Sequence, residues 1–174
     1  MTHPSIHART QPNKPAYIMA ASGETVTFGQ LEERSNQGAH LFRSLGLKPG
    51  DHIALFLDNN ARFFEICWAA QRSGLYYTAI SSRLTAAEVE YIVGDCGAQV
   101  FIAAKALESV AVGLAGKLPK VRHYYAVEGE IAGYSSWEQA VASQPTTPIA
   151  DEVSGYDMLY SSGPTGRPKG IQAP

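Results

Sequence analysis

Short apolar runs alternate with segments of helical period along most of this chain, and that alternation restricts the fold more than any other feature. His52 to Leu57, Tyr76 to Ile80, Gln99 to Ala103, Val121 to Val127 and Tyr156 to Tyr160 each read as buried strands. Between the first two, Asn60 caps a helix whose Phe63, Phe64, Ile66, Cys67, Trp68, Ala69 and Ala70 are apolar almost all round. Such a helix is expected to be covered on more than one side. Next, Val89, Ile92, Val93 and Cys96 recur at i, i+3, i+4 and i+7 behind a Thr85-x-x-Glu88 capping box. A further helix is predicted from about Lys105 to Leu118, and Ser135 with Glu138 predicts a third capping box and a short helix through Val141. Strand, helix, strand with short connections predicts an α/β fold with a mostly parallel sheet flanked by helices and right-handed crossovers.

Ahead of this pattern, Ala16 to Ala20 and Glu24 to Phe28 flank Ser22-Gly23 and read as a hairpin. Thr27 and Gln30 then make a capping box for a helix with Leu31, Leu41, Phe42 and Leu45 on its apolar side and Gly46 as its stop. Gln144 to Ser154, with Pro145 and Pro148, reads as a polar connection within one domain.

The strand Tyr156 to Tyr160 runs into Tyr-Ser-Ser-Gly-Pro-Thr-Gly-Arg-Pro-Lys-Gly, residues 160–170. Glycines let backbone N–H groups approach anionic oxygens, hydroxyls donate to them, and a lysine adds mobile positive charge, so this loop suits the phosphates of a nucleotide. Ligands of parallel sheets bind beyond the carboxyl ends of the strands, which is where the loop emerges. It is not the P-loop of ATPases and GTPases, because Pro168 precedes Lys169 and Gly170 follows it. The spacing Gly163, Gly166, Gly170 also excludes the dinucleotide fingerprint.

Those residues resemble the signature of the adenylate-forming superfamily, Tyr/Phe-Thr/Ser-Ser-Gly-Thr/Ser-Thr-Gly-x-Pro-Lys-Gly, which includes acyl-CoA synthetases, peptide-synthetase adenylation domains and firefly-type luciferases. Pro164 is the one departure. Val26-Thr27-Phe28-Gly29-Gln30-Leu31, Gly50-Asp51-His52-Ile53-Ala54-Leu55 and Ala69-Ala70-Gln71-Arg72-Ser73-Gly74 are similar to earlier family segments and occur in family order. The segment from Thr85 to Glu88 with Ile92 continues that order. Ser161-Ser162 with Gly-Arg-Pro-Lys-Gly-Ile looks most like fatty-acyl or related acyl-CoA synthetases.

This resemblance implies two-step ligation. A carboxylate attacks the α-phosphate of Mg·ATP to give an acyl-adenylate and pyrophosphate, and the thiol of coenzyme A then displaces AMP. Carried onto this chain, Ser161, Ser162, Gly163, Thr165, Gly166 and Lys169 are the phosphate-contacting positions, with Lys169 supplying the charge. The implied cofactors are ATP, Mg2+ and coenzyme A as co-substrate, and the implied partner is a small-molecule carboxylic acid, most often a fatty acid. By the same resemblance, residues 1–174 form the N-terminal portion of the family's large domain, ending just after the phosphate loop. The adenine, ribose and magnesium positions, the hinge and the catalytic lysine of the small C-terminal domain would lie downstream. The fragment alone is then expected to be inactive, with no catalytic residue of its own. Two alternatives are a non-catalytic nucleotide-binding module and a peptide-synthetase adenylation domain.

Composition agrees with an enzyme of small molecules. Lys+Arg 14 against Asp+Glu 16 gives a net charge of -2, so no basic field points to nucleic acid. No apolar run approaches a membrane span, and a cytoplasmic protein without a secretory signal is the expectation. Cys67 and Cys96 read as reduced and structural, and His3, His7, His40, His52 and His123 show no metal-ligand spacing. Trp68, Tyr76, Tyr77, Tyr124 and Tyr125 read as core aromatics rather than base-stacking platforms. Arg83 reads as a solvated loop arginine, and Asp58 and Glu65 as a strand exit and a helix face. A sheet edge or apolar surface left open would favour self-association of the fragment.

Overall fold

The computed structural model describes residues 3–161 and 168–172. In chain order it contains α1 (Pro4–Thr10), β1 (Pro15–Ile18), β2 (Thr25–Thr27), α2 (Phe28–Ser44), β3 (His52–Phe56), α3 (Arg62–Arg72), β4 (Tyr76–Ile80), α4 (Ala86–Cys96), β5 (Val100–Ala104), α5 (Glu108–Ala111), β6 (His123–Val127), β7 (Ser135–Ser136), α6 (Trp137–Ala142), β8 (Tyr156–Ser161) and β9 (Lys169–Gln172). β1 and β2 form the antiparallel N-terminal hairpin. The other seven strands make one sheet in the order β7-β6-β5-β3-β4-β8-β9, parallel throughout except for the antiparallel pair β8–β9.

Continuous apolar strands follow from burial on both faces of the sheet. Ile53, Leu55 and Leu57 enter one core with Val100, Ile102 and Ala104 of the neighbouring strand, beneath α2, α3 and α6. Ala54 and Phe56 face the other way with Phe101 and Ala103, beneath α4 and α5. Each fully buried Ile, Leu or Phe contributes about 1.5–3 kcal/mol of hydrophobic stabilisation. The three-layer architecture is therefore the expected α/β arrangement, and its strands begin and end within two residues of the apolar runs.

Local chemistry sets the helix boundaries. Thr27 Oγ1 accepts the Gln30 N–H at 3.2 Å while Gln30 Oε1 accepts the Thr27 N–H at 3.0 Å, closing a full capping box on α2. Gly46, at φ 84°, stops that helix in a conformation few side chains tolerate. Asn60 Oδ1 accepts the Arg62 N–H at 3.0 Å and opens α3. At Gly38 a Cβ would stand 2.6 Å from the Ala69 Cβ, so α2 and α3 approach more closely there than any larger residue allows.

Several expectations need correction. The helix from Lys105 to Leu118 is instead a broken turn: a 3-10 stretch Lys105–Leu107, the one-turn α5, and a second 3-10 stretch Val112–Leu114. Gly113 and Gly116, the latter at φ 70°, lie in the stretch where an uninterrupted helix would have had to continue. The third capping box does not form and the cap moves by one residue, because Ser135 is in β7, paired with Tyr125 of β6. Ser136 Oγ accepts the Gln139 N–H at 3.2 Å instead, and Glu138 accepts the Glu128 N–H at 2.9 Å. Helix α3 is covered by the sheet and α2 but leaves Phe64 50% exposed, while its polar Glu65 and Arg72 are buried.

Those buried charges are paired. Glu65 meets Arg34 at 2.8 Å and Arg62 at 3.3 Å, and the fully buried Arg72 side chain meets Glu32 at 2.6 Å and Glu152 at 3.7 Å. Burial pushes the Glu65 carboxyl above its ordinary range, with the two arginines opposing the shift. Arg72 thereby ties α2, α3 and the connection before β8 together. Val153 of that connection also bridges to Ser73, which fixes the chain's approach to β8.

Candidate functional site

β8 pairs with β4 in parallel through Tyr76↔Tyr156 and Tyr77↔Asp157, so its carboxyl end points the same way as those of the other parallel strands. The chain leaves the sheet at Ser161 and returns at Lys169. Met158↔Gln172, Leu159↔Ile171, Tyr160↔Gly170 and Ser161↔Lys169 are register partners across an antiparallel hairpin. The return strand differs from the sequence expectation, in which residues 169–170 belong to the loop. Of the six phosphate-contact positions, Ser161 and Lys169 are brought side by side at the mouth of the hairpin, both exposed. Ser162, Gly163, Thr165 and Gly166 lie outside the described residues, as does Pro164.

The hairpin is held by packing beneath it. Met158 enters the core under α4, and the alternating period of a strand turns Leu159 to the opposite side, where it and Ile171 are 56% and 58% exposed. Tyr160 shares the Met158 face. Its hydroxyl donates to Asp95 Oδ2 on α4 at 2.6 Å. Burial, and then that bond to Asp95, push the Tyr160 phenol well above its ordinary value, so it stays a protonated donor. One turn earlier on α4, the Tyr91 hydroxyl donates to the Pro168 carbonyl at 3.3 Å. Neither Asp95 nor Tyr91 carried a sequence signal, since both occupy ordinary positions on an amphipathic helix some seventy residues from the loop.

Two places on the carboxyl edge compete as ligand sites. Adjacent strands β3 and β5 lead into helices on opposite faces of the sheet, which makes their exits the topological switch point. There, Lys105 Nζ is held by Glu108 at 2.6 Å and the Glu130 carbonyl at 2.8 Å. Arg62 is paired with Glu24 and Glu65, and Asp58 accepts from Asn60. The cations at the switch point are neutralised. Lys169 makes no ion pair among the described residues, so an unneutralised positive charge sits at the β8–β9 mouth.

Tyr125 packs edge-on to Trp137, and Tyr124 contacts Phe101 and Tyr134, so these aromatics serve the core. Tyr76 stacks on His52 at 4.8 Å, and Trp68 meets His3 edge-on at 5.0 Å. Cys67 and Cys96 are free and buried, and burial pushes the Cys67 thiol up to about 12, far from a reactive thiolate. Arg83 is exposed. Among the described residues no group of three or more His, Cys, Asp or Glu side chains is placed to hold a metal ion, and no helix is long and apolar enough to cross a membrane.

Comparison with known proteins agrees with this geometry. The family model described as AMP-binding enzyme matches residues 5–173. The fatty acid–[acyl-carrier-protein] ligase ScoC of Streptomyces coeruleorubidus is 31% identical over 96% of this chain and 31% of its own length. The long-chain-fatty-acid–CoA ligase FadD13 of Mycobacterium tuberculosis is 28% identical over 94% of this chain and 32% of its own. Among solved structures, the anthranilate CoA ligase AuaEII in complex with anthranoyl-AMP superposes with a TM-score of 0.84 at 29% identity, covering 98% of this chain and 34% of that one. The chain thus spans about a third of the length of the relatives it matches.

Proposed function

The chain belongs to the AMP-binding enzyme family, and from that premise we propose that it is the N-terminal part of the large domain of an ATP-dependent acid–thiol ligase. The ligase converts a carboxylic acid, most often a fatty acid, to an acyl-adenylate with release of pyrophosphate. The thiol of coenzyme A then displaces AMP and takes the acyl group as a thioester. The observation that carries this reading is the pairing of Ser161 with Lys169 at the carboxyl edge of the sheet, both open to solvent.

Residues 161–169 then act on the phosphates. The Ser161, Ser162 and Thr165 hydroxyls and the backbone N–H groups around Gly163 and Gly166 donate to phosphate oxygens, and Lys169 supplies charge. Negative charge grows on pyrophosphate as it leaves, so donors aimed at it stabilise the transition state more than the ground state. Magnesium, which the reaction class uses to neutralise phosphate charge, would arrive with the nucleotide. The exposed Leu159 and Ile171 support self-association of the isolated chain, and a clean monomer at high concentration in light scattering would contradict it.

Support for acid activation comes from the acyl-adenylate held by the AuaEII relative and from the fatty-acid ligases among the relatives. The decisive assay offers the full-length gene product ATP, a panel of carboxylic acids, and either coenzyme A or an acyl-carrier-protein thiol. Acid-dependent AMP release with formation of an acyl-CoA is the expected result. Transfer to the carrier protein alone would replace coenzyme A as acceptor, and no acid-dependent AMP release would overturn the ligase reading.

A further inference from the structure

The hairpin that carries the loop is gripped by a helix distant in sequence. We infer that Asp95 and Tyr91 of α4 are positioning residues for the phosphate loop, fixing where Ser161 and Lys169 leave and re-enter the sheet. This rests on the reading of residues 160–170 as the phosphate loop.

The hairpin needs such an anchor. β8 is laddered to β4 only at Tyr156 and Asp157, four residues short of the loop, and beyond them its described register partners are all in β9. Left to those bonds, the pair would swing as a two-stranded ribbon, which is marginally stable by itself. Helix α4 supplies a bond to each leg. Asp95 holds Tyr160, the residue immediately before Ser161, at 2.6 Å. Tyr91 holds the carbonyl of Pro168, the residue immediately before Lys169, at 3.3 Å. The two side chains stand one turn apart on the helix, the i and i+4 spacing that places them on one face.

The legs are also locked to each other. The ring and hydroxyl of Tyr160 lie 3.1 Å from where a Cβ on Gly170 would stand, so a tyrosine on one leg fits a glycine on the other. Asp95 is an odd choice for the helix alone, because a carboxylate in the last turn opposes the macrodipole. A short bond from a neutral hydroxyl to a carboxylate compensates it, and bonds of this kind are among the stronger ones. A displacement of about 1 Å at a reacting centre is enough to slow chemistry about a hundredfold, so this grip bears on function as well as on stability.

The test compares Asp95→Ala, Asp95→Asn, Tyr160→Phe and the double variant Asp95→Ala/Tyr160→Phe in the full-length gene product. Mg·ATP affinity is read by titration calorimetry, and hydrogen exchange at the Ser161, Lys169 and Gly170 amides by mass spectrometry. Asp95→Ala and Tyr160→Phe should each weaken affinity about three- to tenfold and speed exchange at those amides, and the double variant should lose no more than either single. Exchange in β3, β5 and β6 should stay at the wild-type rate, which separates a local grip from general loosening. Asp95→Asn should fall between wild type and Asp95→Ala, since its amide oxygen accepts the same bond without the charge. Unchanged exchange and affinity in the first two variants would overturn the inference, as would an asparagine variant as impaired as the alanine one. Faster exchange confined to the hairpin, in a full-length protein that binds no Mg·ATP in any form, would uphold the grip and contradict the nucleotide reading.

Discussion

Tyr160 and Gly170 face each other as register partners across the β8–β9 hairpin, and the tyrosine ring occupies the space that a side chain at 170 would claim. The first and last residues of the glycine-rich stretch are thus matched by packing, while the residues between them are left to chemistry. Glycine is needed at 170 because Met158 and Tyr160 already fill its surroundings, not because of an unusual φ.

Gly170→Ala should therefore displace the Met158 methyl first and press on the Tyr160 ring and its bond to Asp95. Overpacking of this kind costs about 1–3 kcal/mol. Urea unfolding of the two proteins measures it, and an unchanged midpoint would show that Met158 and Tyr160 give way freely.

Arg72 carries the second expectation. Its side chain is fully buried, with Glu32 at 2.6 Å and Glu152 at 3.7 Å. Glu32→Ala leaves the guanidinium with only the more distant carboxylate and should cost about 3 kcal/mol, the lower end for a broken buried pair. Arg72→Met removes the charge along with its bonds and should cost less. Equal losses in chemical denaturation would mean that side-chain packing, not the uncompensated charge, dominates.

Much of this was legible in the residues. Apolar runs located all five central strands, and the Thr27–Gln30 and Thr85–Glu88 pairs located two helix starts, because both signals are local. The misses share a cause. The broken segment after Lys105 and the one-residue shift to Ser136 depend on glycine conformation and on pairing with β6, which periodicity does not register. Helix α1, capped by the His3 ring, was hidden in a polar N-terminus. At the candidate site, Ser161 and Lys169 were named from the loop's resemblance to the family signature, whereas Asp95 and Tyr91 reach the hairpin through tertiary contacts that leave no mark in the sequence.

The α4 cap gives a dependence on pH. Glu88 accepts the Thr85 N–H at 2.8 Å and the Thr85 hydroxyl at 2.7 Å, and these bonds hold its carboxyl below the ordinary range. A depressed folded pKa stabilises above the unfolded value, about 4.3, and that contribution fades as pH falls through the folded value. Wild type should thus be more stable than Glu88→Ala at pH 7, and the gap should narrow below about pH 4. A gap that persists at pH 2 would mean that the cap does not work through the carboxylate.

Pro164 stands where the family signature has serine or threonine, so the loop lacks one hydroxyl and one backbone donor. Restoring them with Pro164→Thr in the full-length gene product should raise kcat/KM for ATP by on the order of tenfold. Equal or lower efficiency would show that the other donors suffice.

We propose that Lys169, a register partner of Ser161 in the hairpin, stabilises departing pyrophosphate. Acid-dependent ATP–pyrophosphate exchange by the full-length gene product, wild type against Lys169→Ala at saturating ATP, tests it most directly. Loss of one preorganised charge at a developing anion predicts a fall in exchange rate of about a hundredfold, with a smaller change in ATP affinity. Wild-type exchange in the Lys169→Ala protein would contradict the account.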